Sequence, residues 1–179
     1  KKVAGKLDMA VVFSDRPSVA AGTFTTNKVK AAPVHVSTRN VRGKDVRAII
    51  ANSGNANACN GDQGMADAEA TIDAVAAELD FKPAQVLVCS TGRIGVPLPM
   101  AKMRKGVKAV VKNATPSGGL RAAQAIMTSD KVHKEWAVEC KIDRKVVRVG
   151  GIAKGAGMID PNMATMLCFV TTDAVVGRG

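Results

Sequence analysis

Apolar residues recur along the chain with two different periods, and each period predicts a different kind of element. Apolar runs of strand length predict buried strands. They occupy residues 8–15, 45–54, the start of 84–99 and 165–174, and a Thr-rich stretch at 23–40 predicts two more strands separated by Pro33. Two alternating segments, 135–142 and 145–153, flank Asp143-Arg144 and are typical of a β-hairpin.

Apolar residues spaced three and four apart predict helices elsewhere in the chain. The clearest helix covers residues 64–80, with Asp62 as its cap and Lys82-Pro83 as its end. Its inward face would consist of Met65, Ala68, Ile72, Val75, Ala76 and Leu79. Two further helices are predicted at 100–114 and 120–130, and residues 115–119 between them are a candidate hinge.

The order of these elements favours an α/β chain built as an α+β layered sandwich, because strands and helices are interspersed without strict βαβ alternation. One connection stands out, the segment NSGNANACNGDQG at residues 52–64. Its density of Asn and Gly predicts an ordered loop with several special backbone conformations.

Composition and charge argue against two classes of partner, membranes and nucleic acids. Hydrophobic residues make up 46% of the 179 residues, enough for a packed core, and no apolar run approaches membrane-spanning length. The formal net charge of +11 allows a nucleic-acid partner, but the basic residues are scattered and aromatic residues are only 3%. We therefore expect neither nucleic acid nor membrane as partner, and interpret the charge as a solvated surface or one that meets an acidic chain or acidic substrates.

The residues of common catalytic and metal sites are sparse. Cys59, Cys89, Cys140 and Cys168 form no C-x-x-C pair, and the chain has only two histidines. No G-x-S-x-G motif surrounds a serine. We therefore expect no metal site, no Ser-His-Asp triad and reduced thiols in a cytoplasmic protein.

Two features remain as candidate chemistry. STGRIG at residues 90–95 follows a strand and lacks the spacing of a phosphate loop; its backbone N–H groups form either an oxyanion hole or simply a tight turn. Thr165 follows a loop rich in Gly, Pro and Asn and precedes an apolar strand. Cleavage before it would give the Thr hydroxyl its own base, the α-amino group, but a surface Thr that merely begins a strand fits the residues as well.

Five segments together carry a resemblance to a known family, and they occur in order over nearly the whole chain. They are SDRPSVAAGTFTTNKVKAAPV, NSGNANACNGDQG, CSTGRIGVPLPM, AIMTSD and GGIAKGAGMIDPNMATML. As a set they closely resemble the bacterial ornithine acetyltransferase family, the bifunctional enzymes of arginine biosynthesis.

The resemblance implies a fold and a processing event. Family members have a layered α/β sandwich of the N-terminal-nucleophile type, shared with the DmpA-type self-processing aminopeptidases. Their precursor cuts itself before the Thr of A-T-M-L into α and β chains. We therefore expect residues 1–164 to be the α-chain region and 165–179 the start of a β chain that continues in family members, with Ala164–Thr165 as the scissile bond.

The resemblance also implies roles for single residues. Thr165 would be the nucleophile, and Thr91 and Gly92 would form the oxyanion hole. Lys154 matches a lysine that binds substrate near the Thr. Thr128 matches a substrate-binding Thr, although Ser129 stands where many members have a second Thr.

The implied reaction is ping-pong transfer of an acetyl group from N-acetylornithine through Thr165 to glutamate, without metal or organic cofactor. Some members also accept acetyl-CoA. The expected partners are the chain's own β chain, in an α2β2 heterotetramer, and these small molecules. The alternatives are a related self-cleaving aminopeptidase or amidase, and an inactive structural fragment.

Overall fold

The computed structural model describes residues 5–155 and 165–177. In chain order, the described elements are β1 (Met9–Phe13), α1 (Ala32–Asn40), β2 (Ala48–Asn55), α2 (Gly61–Leu79), a 3-10 turn (Pro83–Gln85), β3 (Val86–Arg93), α3 (Met100–Lys112), α4 (Gly119–Ile126), β4 (Lys134–Ile142), β5 (Lys145–Lys154) and β6 (Leu167–Thr172).

The strands form two three-stranded sheets. In the first sheet, β1 runs antiparallel to β2 and β2 runs parallel to β3, with α2 as the crossover between the two parallel strands. The second sheet is antiparallel, in the order β4-β5-β6. Its β4–β5 turn places Asp143 and Arg144 at φ of 46° and 66°, so the predicted hairpin is confirmed.

Two hydrophobic cores lie on opposite faces of the first sheet. Alternation along β2 sends Ile50 to one face and Ala51 to the other. The first core, between that sheet and α1, α2 and α3, consists of Ala32, Val36, Ala48, Ile50, Ala68, Ile72, Val75, Ala76, Val86, Val88 and Val107. The second core joins the sheet to α4 and the second sheet through Ala10, Ala51, Ala123, Ala125, Ile126, Ile152 and Phe169. The predicted layered sandwich is thus confirmed.

The prediction of two strands at residues 23–40 is wrong. Residues 32–40 form α1, and no strand lies between 23 and 31. The Pro33 that suggested a break lies in the first turn of α1, where its missing N–H would have no helical partner in any case. The buried positions Ala32, Val36 and Asn40 have a helical spacing of four. Tertiary packing of this face outweighs the strand propensity of the Val and Thr residues.

Packing of α1 also closes the outer edge of β3. The Ser37 hydroxyl donates to the Val88 carbonyl at 2.7 Å and accepts from the Val88 N–H at 2.8 Å. The Asn40 amide donates to the Val86 carbonyl at 2.9 Å. These side chains take the place of a further strand, which satisfies the buried backbone groups of this edge.

Several boundaries differ from the sequence predictions. The helix α2 begins at Gly61, so Asp62 lies in its first turn instead of capping it, and Asn60 occupies the cap position. The helix α4 ends at Ile126, four residues before the predicted end. Within the described residues, none of the helices is both long and apolar enough to cross a bilayer.

Candidate active site

The site begins where the parallel strands β2 and β3 end side by side. Ser53 pairs with Thr91 and Gly54 with Gly92, and the register shifts at Asn55. Sequence reasoning expected STGRIG to be a turn after the strand, but Ser90–Arg93 are the last residues of β3 itself. Irregularity at the end of the strands, not a turn, gives this segment its special backbone.

Gly92 has a backbone that only glycine supports here. Its φ is +135°, and a Cβ atom at this position would lie 2.3 Å from the carbonyl carbon of Gly54. Two glycines therefore let the strand ends approach more closely than any side chain permits. Thr91, next to this contact, is buried, whereas Gly92 is exposed.

The Asn-rich loop after β2 holds these strand ends in place. Asn57 is fully buried; its amide donates to the Gly64 carbonyl at 2.8 Å and its N–H donates to the Asn55 side chain. Asn52 accepts a hydrogen bond from the Ser90 hydroxyl at 2.6 Å. Positive φ values occur at Gly54, Asn57, Cys59 and Gly61. The special backbone conformations predicted for residues 52–64 are present, but the predicted loop is too long, because residues 52–55 belong to β2 and 61–64 to α2.

Lys154, the last residue of β5, joins the two sheets. Its side chain is buried, with the residue only 3% exposed. The ammonium donates to the Thr91 hydroxyl oxygen at 3.0 Å and to the Thr165 carbonyl at 2.9 Å. An ammonium group only donates, so the Thr91 oxygen must accept from it and keeps its own proton for another acceptor.

Two charged neighbours act on the Lys154 ammonium in opposite directions. Burial lowers the pKa of the Lys154 ammonium, the Asp130 carboxylate opposes that shift, and the Lys134 ammonium adds to it. The resulting site holds a desolvated cation beside a hydroxyl proton, a combination that can stabilise negative charge on a carbonyl oxygen.

Thr165 is exposed and has a strained backbone. Its φ is +82°, in the left-handed region that β-branched residues avoid. Its carbonyl is held by Lys154 as described above, and Lys154 itself pairs with Leu167 of β6. Ala164, the residue before the expected cleavage point, lies outside the described residues, as does the rest of segment 156–164.

Thr128 is an exposed residue that is joined to this group of residues, among those that the structure describes, through Asp130. The Thr128 N–H donates to one carboxylate oxygen of Asp130 at 3.2 Å. The other carboxylate oxygen accepts from the Gly155 N–H at 2.8 Å and from the Lys134 ammonium at 2.9 Å. Sequence reasoning quoted Asp130 as the last residue of AIMTSD but gave it no role, because its bonds to Gly155 and Lys134 are visible only in the structure.

Metal ligands are not gathered at this site. Within residues 5–155 and 165–177, no group of three His, Cys, Asp or Glu side chains is placed to hold a metal ion. The thiol of Cys89, one residue before Ser90, has a pKa raised to about 12 by burial. A thiol of this kind is a poor nucleophile, so hydroxyl and ammonium groups are the reactive groups that the described site offers.

Comparison with known proteins identifies related chains. The sequence profile of the ArgJ family matches residues 1–179. The arginine biosynthesis bifunctional protein ArgJ 1 of Clostridium acetobutylicum is 50% identical over 173 residues, which cover 97% of this chain and 42% of the relative. The protein of the same description from Gloeobacter violaceus, ArgJ, is 52% identical over 178 residues, covering 98% and 43%. This chain thus spans less than half the length of these relatives.

Two solved structures have the same fold. A crystal structure of arginine biosynthesis bifunctional protein ArgJ from Bacillus halodurans is 35% identical, with a TM-score of 0.82, and is matched over 92% of this chain and 85% of the solved one. Ornithine acetyltransferase of Mycobacterium tuberculosis, complexed with ornithine, is 44% identical with a TM-score of 0.77, over 88% and 84%. Sequence profile, identity and fold agree: the chain belongs to the ArgJ family.

Proposed function

We propose that this chain carries the nucleophile and oxyanion site of an acyltransferase that moves an acetyl group from N-acetylornithine to glutamate in arginine biosynthesis. The observation that carries the proposal is the bridge made by Lys154 between the Thr91 hydroxyl and the Thr165 carbonyl. It brings three residues from two separate motifs, CSTGRIGVPLPM and GGIAKGAGMIDPNMATML, into one contact. The ornithine in the solved relative supports the substrate class.

The first step is self-cleavage between Ala164 and Thr165. The Thr165 hydroxyl oxygen attacks the Ala164 carbonyl, the C–N bond breaks, and the hydroxyl proton ends on the new α-amine. Water then hydrolyses the ester, leaving a carboxylate on Ala164 and a free Thr165 hydroxyl. Support comes from the left-handed φ of Thr165, since strain of about 1–3 kcal/mol at a junction favours its rearrangement.

The lengths of the relatives also support cleavage. This chain covers 85% and 84% of the two solved chains but only 42% of the Clostridium relative. The solved chains are therefore much shorter than that relative, as division of a precursor produces. We accordingly propose residues 1–164 as the α-chain region and 165–179 as the start of the β chain.

Transfer then proceeds in two half-reactions. The α-amine of Thr165 takes the hydroxyl proton while the oxygen attacks the acetyl carbon of N-acetylornithine; the amide C–N bond breaks and the proton passes to the amine of departing ornithine. The amine of glutamate attacks the acetyl ester, restoring the Thr165 hydroxyl and giving N-acetylglutamate. Before cleavage the Thr165 nitrogen is an amide and cannot serve as this base.

Thr91 and Gly92 are the proposed oxyanion hole, and Lys154 a substrate-binding residue. The free proton of the Thr91 hydroxyl supports this role, as does the exposed Gly92 backbone at the end of β3. The Lys154 ammonium beside Thr165 favours the neutral form of the new α-amine by like-charge repulsion and attracts a substrate carboxylate. Thr128 is proposed as a further substrate contact on the rim, where it is exposed.

The relatives are more than twice as long as the part that this chain matches. We propose that the part of the protein that corresponds to their further length packs against the second sheet. On the outer face of that sheet, Trp136, Gly151 and Val170 form one row across the three strands. Trp136 is 78% and Val170 64% exposed, and the row lines an open depression of about 520 Å³. Apolar surface of this kind favours coverage by another chain. We propose the β chain, within an α2β2 assembly in the cytoplasm.

The test uses the full-length gene product. Denaturing electrophoresis and mass spectrometry should find two chains, the second beginning at Thr165, and Thr165→Ala should abolish both the cut and turnover. Thr171→Ala, an exposed Thr on β6, is the matched control and should behave as wild type. A single uncut chain would remove the mechanism.

Product analysis separates the transferase from a hydrolase. Incubation with N-acetylornithine and glutamate should give ornithine and N-acetylglutamate in equal amounts. Free acetate without N-acetylglutamate would favour the related aminopeptidase or amidase instead. Replacing N-acetylornithine by acetyl-CoA tests whether this protein also accepts that donor.

A further inference from the structure

Asp130 has a buried carboxylate that accepts hydrogen bonds from three donors. Its side chain is only 1% exposed. One carboxylate oxygen accepts from the Gly155 N–H and the Lys134 ammonium, and the other accepts from the Thr128 N–H. Although burial acts to raise it, these hydrogen bonds hold the pKa of Asp130 at about 2, so the group is ionised throughout the working range of an enzyme.

Gly155 is the point at which the chain leaves β5 for segment 156–164. It has a φ of +129°, and a Cβ atom there would lie 3.0 Å from the Met166 Cα and 3.1 Å from the Thr165 carbonyl oxygen. Gly155 is therefore in contact with Thr165 and Met166, the described residues on the other side of segment 156–164. We call this contact the neck.

Two side chains fasten the neck from different directions. On the outgoing side, Asp130 fixes the Gly155 N–H; on the returning side, Lys154 fixes the Thr165 carbonyl. The last backbone pair of the β5–β6 ladder, Lys154 with Leu167, lies directly beneath. Neither Asp130 nor Lys154 belongs to segment 156–164, so cleavage of the Ala164–Thr165 bond leaves both on the same chain.

Asp130 also sets the charge beside Lys154. Among the described residues, the charged groups that act on the Lys154 ammonium are Asp130, which favours its protonated form, and Lys134, which disfavours it. The Lys134 ammonium donates to Asp130 Oδ1, the same oxygen that accepts from the Gly155 N–H, in an ion pair of 2.9 Å. Asp130 thus links the geometry of the neck to the protonation of the cation that contacts Thr91 and Thr165.

We propose that Asp130 is a positioning residue for Thr165: it fixes the neck through the Gly155 N–H, opposite the bond by which Lys154 holds the Thr165 carbonyl, so that Thr165 is presented in a reactive geometry both before and after cleavage. This inference rests on the proposed function of Thr165. Asp130 acts through Gly155 and Lys154, and does not touch the reacting atoms itself. Its loss should therefore slow the reactions without abolishing them.

The test compares three variants of the full-length gene product. Asp130→Asn keeps the shape and an acceptor for the Gly155 N–H but removes the charge. Asp143→Asn makes the same change in the exposed β4–β5 turn, where Asn tolerates the φ of +46°, and is the matched control. Lys134→Met removes the opposing cation and leaves the Gly155 and Thr128 bonds to Asp130. Cleavage rate and turnover are measured from pH 5 to about pH 10. This range is chosen because burial lowers the pKa of Lys154 from the ordinary lysine value of about 10.4.

Asp130→Asn should slow the appearance of the chain beginning at Thr165 about tenfold or more, while Asp143→Asn cleaves at the wild-type rate. The alkaline limb of the pH profile should move to lower pH in Asp130→Asn and to higher pH in Lys134→Met. A merely structural role would slow both variants with no such opposite shifts.

Outcomes against the proposal are distinct from failure of the proposed function. Wild-type cleavage in Asp130→Asn, or slow cleavage with a limb that does not move, would overturn the role of Asp130 while leaving Thr165 as nucleophile. Shifts of the limb in the same direction in both variants would also overturn it. If the wild type itself never cuts before Thr165, the proposed function fails first.

Discussion

The Lys154 ammonium lies 3.0 Å from the hydroxyl oxygen of Thr91, although the two residues belong to different sheets and are 63 positions apart. Thr91 lies at the end of a parallel pair and Lys154 at the end of an antiparallel one. The shape of the candidate site therefore depends on how the two sheets pack through the second core. A change in that packing would alter the site without altering any of its residues.

Lys154→Met tests this contact directly. The variant removes the donor to Thr91 and Thr165 while keeping a side chain of similar length, so we expect turnover to fall about 10- to 100-fold, the usual cost of a lost charge-assisted hydrogen bond. The control is Lys131→Met, an exposed lysine in the α4–β4 connection. Equal steady-state turnover in both variants would contradict the role of Lys154.

The hydrogen bonds between Ser37 and the edge of β3 lead to a prediction about stability. Ser37→Ala removes a hydroxyl that both donates to and accepts from the Val88 backbone, leaving two buried groups without that partner. The free energy of unfolding should fall by about 1–3 kcal/mol. Ser117→Ala, at an exposed serine, should change it by less than about 0.5 kcal/mol. Urea unfolding followed by circular dichroism measures both; a Ser37→Ala midpoint equal to that of the control would refute the interpretation.

Thiol reactivity should separate the four cysteines. Cys59, Cys140 and Cys168 are exposed, whereas burial raises the pKa of the Cys89 thiol to about 12. At pH 8 the thiolate fraction of Cys89 is then roughly a thousandfold below that of an ordinary thiol of pKa about 8.5. Labelling with a chromogenic disulfide, read by peptide mass spectrometry, should modify the other three first and Cys89 only after unfolding. Equally fast labelling of Cys89 in the native protein would contradict this assignment.

Local patterns were enough to predict most elements, and failed where a distant contact decides the structure. The β4–β5 hairpin was predictable because its alternation and its turn lie within one segment. The helix α1 was not predictable from its own residues. It is favoured by the hydrogen bonds that Ser37 and Asn40 make to the edge of β3, which lies more than 40 residues away in the sequence.

The candidate site divides in the same way. Resemblance picked out Thr91, Gly92, Lys154 and Thr165, and the structure brings Thr91, Lys154 and the Thr165 carbonyl into contact. Asp130 was given no role, because its significance lies in bonds to Gly155 and Lys134 that no spacing in the sequence encodes.

The last prediction separates two costs of replacing glycine near the proposed oxyanion hole. Gly95→Ala adds a methyl group in open space at φ of +72°, so only backbone strain of about 1–2 kcal/mol should appear. Gly92→Ala adds the same group at φ of +135° and 2.3 Å from the Gly54 carbonyl carbon, so overpacking adds to the strain and the unfolding free energy should fall by about 3 kcal/mol or more. Urea unfolding gives both values, and turnover should survive only in Gly95→Ala. Equal costs for the two variants would show that the close approach of β2 and β3 at Gly92 does not constrain the site.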